Sequence, residues 1–280
     1  MKRFLQIIAA LVAVLAIVYF LGPKPAAPNY NNNLIQVPSD PAALEAFIRS
    51  KEAAHKVKPD NEARIVWAND STKAKTPYVI VYLHGFSASQ EEGNPVHRNI
   101  AKQFGCNMYL ARLSEHGIDT IDPLINMTAT SLWESAKEAL AVAKQLGDKV
   151  IVLGTSHGGS LSLSLGADPD IAALCLFGPN IAVYDSNSKL LSKPWGLQIA
   201  RLVKGGNYHY MITSNQEKKK YWTTKTRLES LTHMQKFLDL KMRKSTFKKI
   251  QVPVFLGYYY KNDSLQDNVV SVPAMLKMFD

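Results

Sequence analysis

The sequence predicts an α/β protein in which a mostly parallel sheet carries helices on both faces. Short segments that are apolar throughout alternate along the chain with segments whose apolar residues recur every three or four positions. Strands covered on both faces are apolar throughout, and successive parallel strands need a crossover, usually a helix. A chain of 280 residues is long enough for one such domain with a large core.

The composition, with 46% hydrophobic and 20% charged residues, excludes a disordered or low-complexity chain. The net charge of +10 suits a nucleic acid, an anionic membrane surface or an anionic ligand, and does not choose among them. Cys106 and Cys175 form no C-x-x-C pair, and a thiol within an apolar run usually behaves as a small hydrophobic residue. We therefore expect neither a disulfide scaffold nor a metal or other cofactor.

An uncharged apolar run over residues 4–21 follows Met1-Lys-Arg. As a helix this run would span about 27 Å, near the low end for crossing a bilayer. It exceeds the usual core of a cleaved signal peptide and no small-residue cleavage site follows it, so residues 1–21 are interpreted as an uncleaved anchor. The basic start predicts a single-pass protein of the cell membrane whose domain faces outward, into the periplasm of a bacterium. The alternative is a signal peptide and a protein secreted after its cleavage.

A linker is predicted over residues 22–38, which are rich in Pro, Asn and Ala and lack periodicity. The folded domain is predicted over residues 39–280. It opens with a helix at Ser39-Asp-Pro, where a capping residue precedes a proline in the first turn, and this helix runs to about His55. The next predicted elements are a strand at 63–68, a buried strand at 78–83, a helix at 96–104 and a strand at 107–113.

The second half of the domain continues the alternation of helices and strands. Apolar residues line one side of a helix over 131–146, which Gly147 ends. The elements predicted after it are a strand at 149–153, a glycine-rich helix from about 158, strands at 171–177 and 252–257, and a helix from 273.

The alternation stops over about residues 180–250, which predicts a helical insertion between two strands. Between Thr213 and Ile250 there are eleven Lys or Arg against three Asp or Glu. We interpret the insertion as a lid over the substrate. The alternative is a solvated basic face over ordinary packing helices.

One motif carries the chemistry: Gly154-Thr-Ser-His-Gly158 directly follows the predicted strand at 149–153. This is G-x-S-x-G between a strand and a helix, where the flanking glycines allow close packing and the serine hydroxyl projects from a strained turn. The helix N-terminus beside the serine stabilises nearby negative charge. Ser156 is therefore the candidate nucleophile, and the alternative is a purely structural Gly-Ser turn.

A second motif, His84-Gly85-Phe86, follows the earlier buried strand. A turn of this kind normally shapes a loop that donates one N–H to an oxyanion hole. The candidate donors are the backbone N–H groups of Phe86 and His157, which are rigid and cannot swing away as charge develops. The side chains of His84 and His157 are expected to be structural.

Together these motifs and the strand order resemble the α/β-hydrolase fold, and within it the serine hydrolases related to bacterial monoacylglycerol lipases and esterases. Arg112-Leu-Ser-Glu-His116-Gly117 resembles the loop after the family's third strand, with Glu115 in place of a glycine. The resemblance begins at about Ala63, and the insertion corresponds to the family's variable cap. It implies a Ser-His-Asp mechanism. Asp267, in Asp-Asn-Val-Val, resembles the family's acid, and Asp263 is the alternative.

The resemblance implies a hydrolase acting on a small-molecule or lipid carboxylic ester and tied to the membrane by its N-terminal helix. The alternative is a catalytically inactive ligand-binding or envelope protein on the same fold. Nucleic-acid binding is not expected, since no recognition motif accompanies the Lys218-Lys-Lys run.

The base is the missing member of the triad. On this fold the order is nucleophile, acid, histidine, and none of the seven histidines follows Asp267. We expect the base beyond residue 280, after a further strand, so that the domain is C-terminally incomplete and the strand at 252–257 lacks a neighbour. The 280-residue form should then show little or no turnover. The alternatives are a lid histidine, His209 or His233, and a chain without a base.

Overall fold

The computed structural model describes residues 1–279 and contains a six-stranded sheet. The strand order is β1-β3-β2-β4-β5-β8, with β1 antiparallel to β3 and the other pairs parallel. The strands are β1 (Arg64–Val66), β2 (Thr76–Leu83), β3 (Asn107–Leu110), β4 (Gly147–Thr155), β5 (Ile171–Phe177) and β8 (Val254–Gly257). The predicted mostly parallel α/β architecture is confirmed.

The helices fall close to their predicted positions. They are α1 (Lys2–Phe20), α2 (Pro41–Ala53), α3 (Val96–Phe104), α4 (Ala129–Leu146), α5 (His157–Leu165), α6 (Gly196–Lys204), α7 (Gln216–Tyr221), α8 (Leu228–Lys241), α9 (Lys244–Phe247) and α10 (Val272–Phe279). Helix α4 begins two residues earlier than predicted, because Thr128 and Ser131 form a reciprocal capping box.

Three predicted strands, β1, β3 and β8, are shorter than expected. After Leu110 the chain leaves the sheet, although Ala111 N–H still donates to Tyr82 O at 3.3 Å. Strand β8 starts after Pro253, which has no N–H to donate and contributes only its carbonyl, the acceptor for Leu174 N–H at 3.0 Å.

Side chains on the two faces of the sheet form separate cores. On one face, α4 and α5 pack against the strands and α8 packs on both helices, around residues such as Val81, Val152 and Leu176. On the other face α3 packs against β2 and β3, over a smaller cluster that includes Ile80 and Tyr82. The alternation of side chains along each strand assigns neighbouring residues to opposite cores.

The insertion contains two short strands that the sequence analysis did not predict. A 3₁₀ turn at Ser186–Ser192 and helices α6 to α9 make up most of it, and β6 (Tyr208–Tyr210) pairs antiparallel with β7 (Lys225–Arg227). The insertion that the sequence analysis predicted as helical therefore also contains an antiparallel pair, which brings together residues 15 or more positions apart. A further hairpin, β9 (Tyr260–Asn262) with β10 (Leu265–Gln266), follows β8.

The predicted linker, residues 22–38, has no helix or strand and lies against α4. Trp133 Nε1–H donates to Asn31 O at 2.8 Å, and the buried Lys137 ammonium donates to Asn33 O at 2.9 Å. Before this segment, every residue of α1 is exposed. Its length and apolar composition are those of a helix able to cross a membrane, which a signal sequence also satisfies.

Candidate active site

Ser156 lies at the tight turn between β4 and α5, with φ 50° and ψ −115°. A non-glycine residue with positive φ is strained by about 1–3 kcal/mol, and such strain is typical of functional sites. Two backbone hydrogen bonds hold the turn: Ser156 N–H donates to Phe177 O at 3.0 Å, and Asn180 N–H donates to Ser156 O at 2.8 Å. The side chain remains partly exposed at the carboxyl edge of the parallel strands.

The two glycines of the motif are required by sterics. A Cβ on Gly158 would lie 1.9 Å from Leu83 O, and one on Gly154 would lie 2.3 Å from Ser162 Oγ. Both distances are far below a van der Waals contact, so any side chain would push α5 away from β2 and β4. This close packing places the N-terminus of α5 directly beside Ser156.

The two predicted oxyanion donors are available for hydrogen bonding. Within residues 1–279, neither Phe86 N–H nor His157 N–H donates to another backbone or side-chain group. His157 is the first residue of α5, where backbone N–H groups lack helical partners. The loop that carries Phe86 is held by Ala88 N–H donating to Gly85 O at 3.2 Å and Thr223 N–H donating to Ser87 O at 2.7 Å.

The buried histidines next to these motifs have structural contacts. His84 Nδ1 pairs with Gly85 O at 2.9 Å, and its Nε2 accepts from Leu113 N–H at 3.1 Å. The ring of His157 packs edge-on against Phe237. Burial lowers the pKa of His157 to about 3 and that of His116 to about 4, so both rings are neutral near pH 7. Such weakly basic, enclosed rings are poor general bases.

Asp267 lies at the same edge of the sheet as the Ser156 turn. Its Oδ1 accepts hydrogen bonds from Val269 N–H at 2.8 Å and Val270 N–H at 3.0 Å. Its Oδ2 points toward Gly178, where a Cβ would be 3.6 Å away. Gly178 directly follows Phe177, the last residue of β5, whose carbonyl accepts from Ser156 N–H. Asp263 instead accepts a hydrogen bond from Tyr260 OH at 2.7 Å within its own exposed hairpin.

No base is in place among the described residues. Within residues 1–279, Ser156 Oγ makes no hydrogen bond with any side chain, histidines included. His209 lies half-buried in β6 and His233 half-buried in α8, and neither makes a hydrogen bond that links it to Asp267. Strand β8 is an edge of the sheet formed by residues 1–279, and Phe255 on it is 57% exposed.

Glu92, which the sequence analysis did not single out, lies beside the oxyanion loop. Its Oε2 accepts from Gly85 N–H at 2.5 Å and from Tyr82 OH at 3.3 Å, and the Tyr82 hydroxyl also pairs with Thr155 Oγ1 at 2.9 Å. A Cβ on Gly85 would be 2.8 Å from Glu92 Oε1 and 3.2 Å from Ser156 Cβ, so the carboxyl and the serine flank the same glycine. Burial raises the pKa of Glu92 to about 7. No local pattern reveals this contact, which folding creates.

A cavity of about 210 Å³ opens next to Glu92, on the α3 face of the sheet. Its lining includes Thr155 and Phe177 but not Ser156, so it is separate from the nucleophile. Within residues 1–279, no cluster of three His, Cys, Asp or Glu side chains is arranged to hold a metal ion.

Solved structures similar to this chain identify the fold. A structure from work on the metagenome-derived lipolytic enzymes LipS and LipT matches with a TM-score of 0.58 and 15% identity, over 71% of this chain and 76% of that one. Est1E from Butyrivibrio proteoclasticus matches with a TM-score of 0.52 and 15% identity, over 79% and 82%. No protein-family model matches the chain, and no curated protein does. The chain has the α/β-hydrolase fold, as the resemblance implied.

Proposed function

We propose that this protein is a serine hydrolase that cleaves carboxylic esters through an acyl-enzyme on Ser156. The observation that carries the proposal is the strained turn at Ser156, which adjoins His157 N–H and lies against Gly85 of the loop that carries Phe86 N–H; neither N–H has a hydrogen-bond partner among residues 1–279. The similarity to lipolytic enzymes is a similarity of fold and supports the same class of reaction.

In this mechanism Ser156 Oγ attacks the ester carbonyl and gives up its proton to a histidine base. Phe86 N–H and His157 N–H hold the oxyanion of the tetrahedral intermediate, which collapses as the ester C–O bond breaks and the histidine gives its proton to the leaving alcohol. Water, deprotonated by the same histidine, then attacks the acyl-enzyme carbonyl, and the carboxylic acid leaves as Ser156 Oγ takes the proton back. Asp267 would orient the base, since its Oδ1 is fixed by two backbone donors while Oδ2 faces the sheet edge. We propose that the base is a histidine C-terminal to Asp267, since no histidine ring within residues 1–279 forms a hydrogen bond with Ser156 Oγ.

The substrate that we propose is a small-molecule or lipid ester reached at a membrane surface, with α1 as the anchor. The insertion at about 180–250 is proposed as the lid, with a basic surface suited to anionic headgroups at about 1 kcal/mol for each well-placed cation. The outward, periplasmic orientation is part of the same proposal, and cleavage of α1 followed by secretion is its alternative.

The test is labelling with a fluorophosphonate, together with turnover of a p-nitrophenyl ester panel. The protein carrying its complete triad should label at Ser156, and Ser156→Ala should abolish both labelling and turnover. Asp267→Asn should lower turnover by several orders of magnitude, while the matched control Asp263→Asn should leave it nearly unchanged. Failure of the complete protein to label at Ser156 would overturn the proposal.

The second candidate function is binding of a lipid or similar ligand without turnover. It is favoured by one observation: no histidine ring within residues 1–279 forms a hydrogen bond with Ser156 Oγ. Saturable lipid binding by a protein that neither labels nor turns over esters would support this function instead.

A further inference from the structure

An exposed apolar stripe runs along α6. Ile199, Leu202 and Val203 are 43%, 84% and 76% exposed, and their i, i+3, i+4 spacing places them on one side of the helix. Arg201, on another side, forms an ion pair with Glu229 of α8 at 2.6 Å, and α6 packs on α8. The helix is therefore fixed to the domain through one side and presents its apolar stripe outward.

Trp195, the residue directly before α6, forms hydrogen bonds with the end of α1 and with the residues that follow it. Trp195 N–H donates to Pro23 O at 2.8 Å, and Trp195 Nε1–H donates to Val18 O at 3.1 Å. Gly22 packs directly against the indole ring of Trp195, since a Cβ on Gly22 would be 2.1 Å from Trp195 Nε1. Trp195 is also the N-cap of α6, so this one residue links the last turn of α1 to the first turn of α6.

This junction limits how far α6 can lie from a bilayer that contains α1. The exit of α1 lies at the boundary between hydrocarbon and headgroups, where tryptophan is enriched. Helix α6 begins at that boundary. Because its nine residues span about 13.5 Å, no part of it can lie farther than that from the boundary. Its apolar stripe is then beside a surface that favours apolar burial, and the exposed Lys204 at its end suits anionic headgroups.

We propose that the α6 stripe, Ile199, Leu202 and Val203, inserts into the headgroup–acyl boundary of the bilayer that holds α1. The proposal rests on the proposed membrane anchoring and is independent of ester hydrolysis. The protein would then contact the membrane at two places, and the insertion would be held at the lipid surface.

The experiment uses the full chain in vesicles of phosphatidylcholine and phosphatidylglycerol, with a nitroxide at Val203→Cys. The accessibility of the label to oxygen, which concentrates in lipid, is compared with its accessibility to a water-soluble nickel chelate. Phe104→Cys, 70% exposed at the end of α3 on the other face of the sheet, is the water-exposed control. Val12→Cys in α1 reports the anchor, and the chain without an added cysteine gives the background from Cys106 and Cys175.

We expect the oxygen-to-nickel ratio at position 203 to be several-fold higher than at 104 and to approach that at 12. Adding Leu202→Asp should return position 203 to the ratio of position 104 while position 12 stays in lipid. A lipid-exposed label at 12 with a water-exposed label at 203 overturns the docking of α6. Protection of 203 from both reagents indicates a second copy or another protein, and also overturns it. Water exposure at 12 removes the anchor and the docking together, and leaves the labelling test of Ser156 unaffected.

Discussion

The two faces of the central sheet are covered to different extents. One face lies beneath α4, α5 and α8, and residues such as Leu132 and Phe237 there are fully buried. On the other face α3 covers β2 and β3, while Phe255 on β8 and Tyr78 on β2 remain 57% and 49% exposed. We name these the covered face and the open face.

The comparison shows that the strands are apolar on a face that the described residues only partly cover. Ile151, Cys175 and Phe177, which point to the open face, are only partly buried, although they belong to strands as apolar as those of a doubly covered sheet. Contiguous exposed apolar surface of this kind marks a site for contact with further protein or another apolar partner. The expectation of a further strand beyond β8 remains a prediction, and such a strand would pair with the edge of β8 without covering this face.

The largest expected effect concerns the tight packing of α5 on the covered face. Gly158→Ala places a Cβ 1.9 Å from Leu83 O, a backbone atom that cannot move without shifting β2. We expect a loss of about 3 kcal/mol or more in the free energy of unfolding, measured by denaturant titration in detergent micelles. The control is Gly105→Ala, which has φ +59° but open space around the added Cβ and should cost about 1–2 kcal/mol. Equal losses in the two variants would contradict the packing argument.

A direct test of the two faces compares two phenylalanines. Phe237→Ala empties a fully buried position and should cost about 3–5 kcal/mol in the free energy of unfolding. Phe255→Ala, at a position already 57% exposed on the open face, should cost less than about 1 kcal/mol. A loss at Phe255 as large as that at Phe237 would show that the open face is covered in solution.

The next prediction concerns pH and the Glu92 carboxyl. Burial raises its pKa from 4.5 to about 7, so the folded state binds the proton more tightly than the unfolded state. The stabilisation from this proton is complete below about pH 4.5 and is lost as the pH rises through 7, an effect of roughly 2–3 kcal/mol. Glu92→Gln should remove this part of the pH dependence of unfolding, and Glu91→Gln is the matched control. An unchanged pH profile in Glu92→Gln would contradict the assignment.

The smallest expected effect is at the surface of the open face. Phe255→Lys should reduce binding of a hydrophobic dye and self-association, with a change in unfolding free energy below about 1 kcal/mol. Dye fluorescence and sedimentation measure the two effects, and Phe104→Lys, at an exposed helix end, is the control. Dye binding that falls equally in both variants would show that the open face is not the site of association.

Features set by local sequence were predicted, and features set by distant contacts were not. Helix α3 lies at its predicted residues, because an amphipathic pattern precedes Gly105, which adopts the left-handed conformation. The Ser156 turn was predicted because the G-x-S-x-G motif and the apolar strand before it are both local in sequence, although the close contact of Gly158 with Leu83 that the motif permits is a distant one. The contact of Glu92 with Gly85 depends on how a 3₁₀ turn folds back on the oxyanion loop, which periodicity does not reveal.

The short pairs and the docked segment were missed for the same reason. Strands β6 and β7 have three residues each, too few to show an alternating pattern. Residues 22–38 have no periodicity, and their partners on α4, such as Trp133, lie about 100 positions away along the chain. The role of Asp267 stays a prediction: the resemblance selected it, and the fold places its Oδ2 beside Gly178, next to the strand end that accepts from Ser156 N–H, but no histidine within residues 1–279 forms a hydrogen bond with it.

The fixed course of residues 22–38 has a consequence for how the protein would work at a membrane. With Pro23 held by Trp195, Asn29 by Thr130 and Asn33 by Lys137, little free chain separates α1 from the domain. A domain attached in this way would keep a nearly fixed position relative to α1, because no long flexible linker separates the two. With α1 as the proposed anchor, the Ser156 turn would stay close to the bilayer and would meet mainly molecules at its surface.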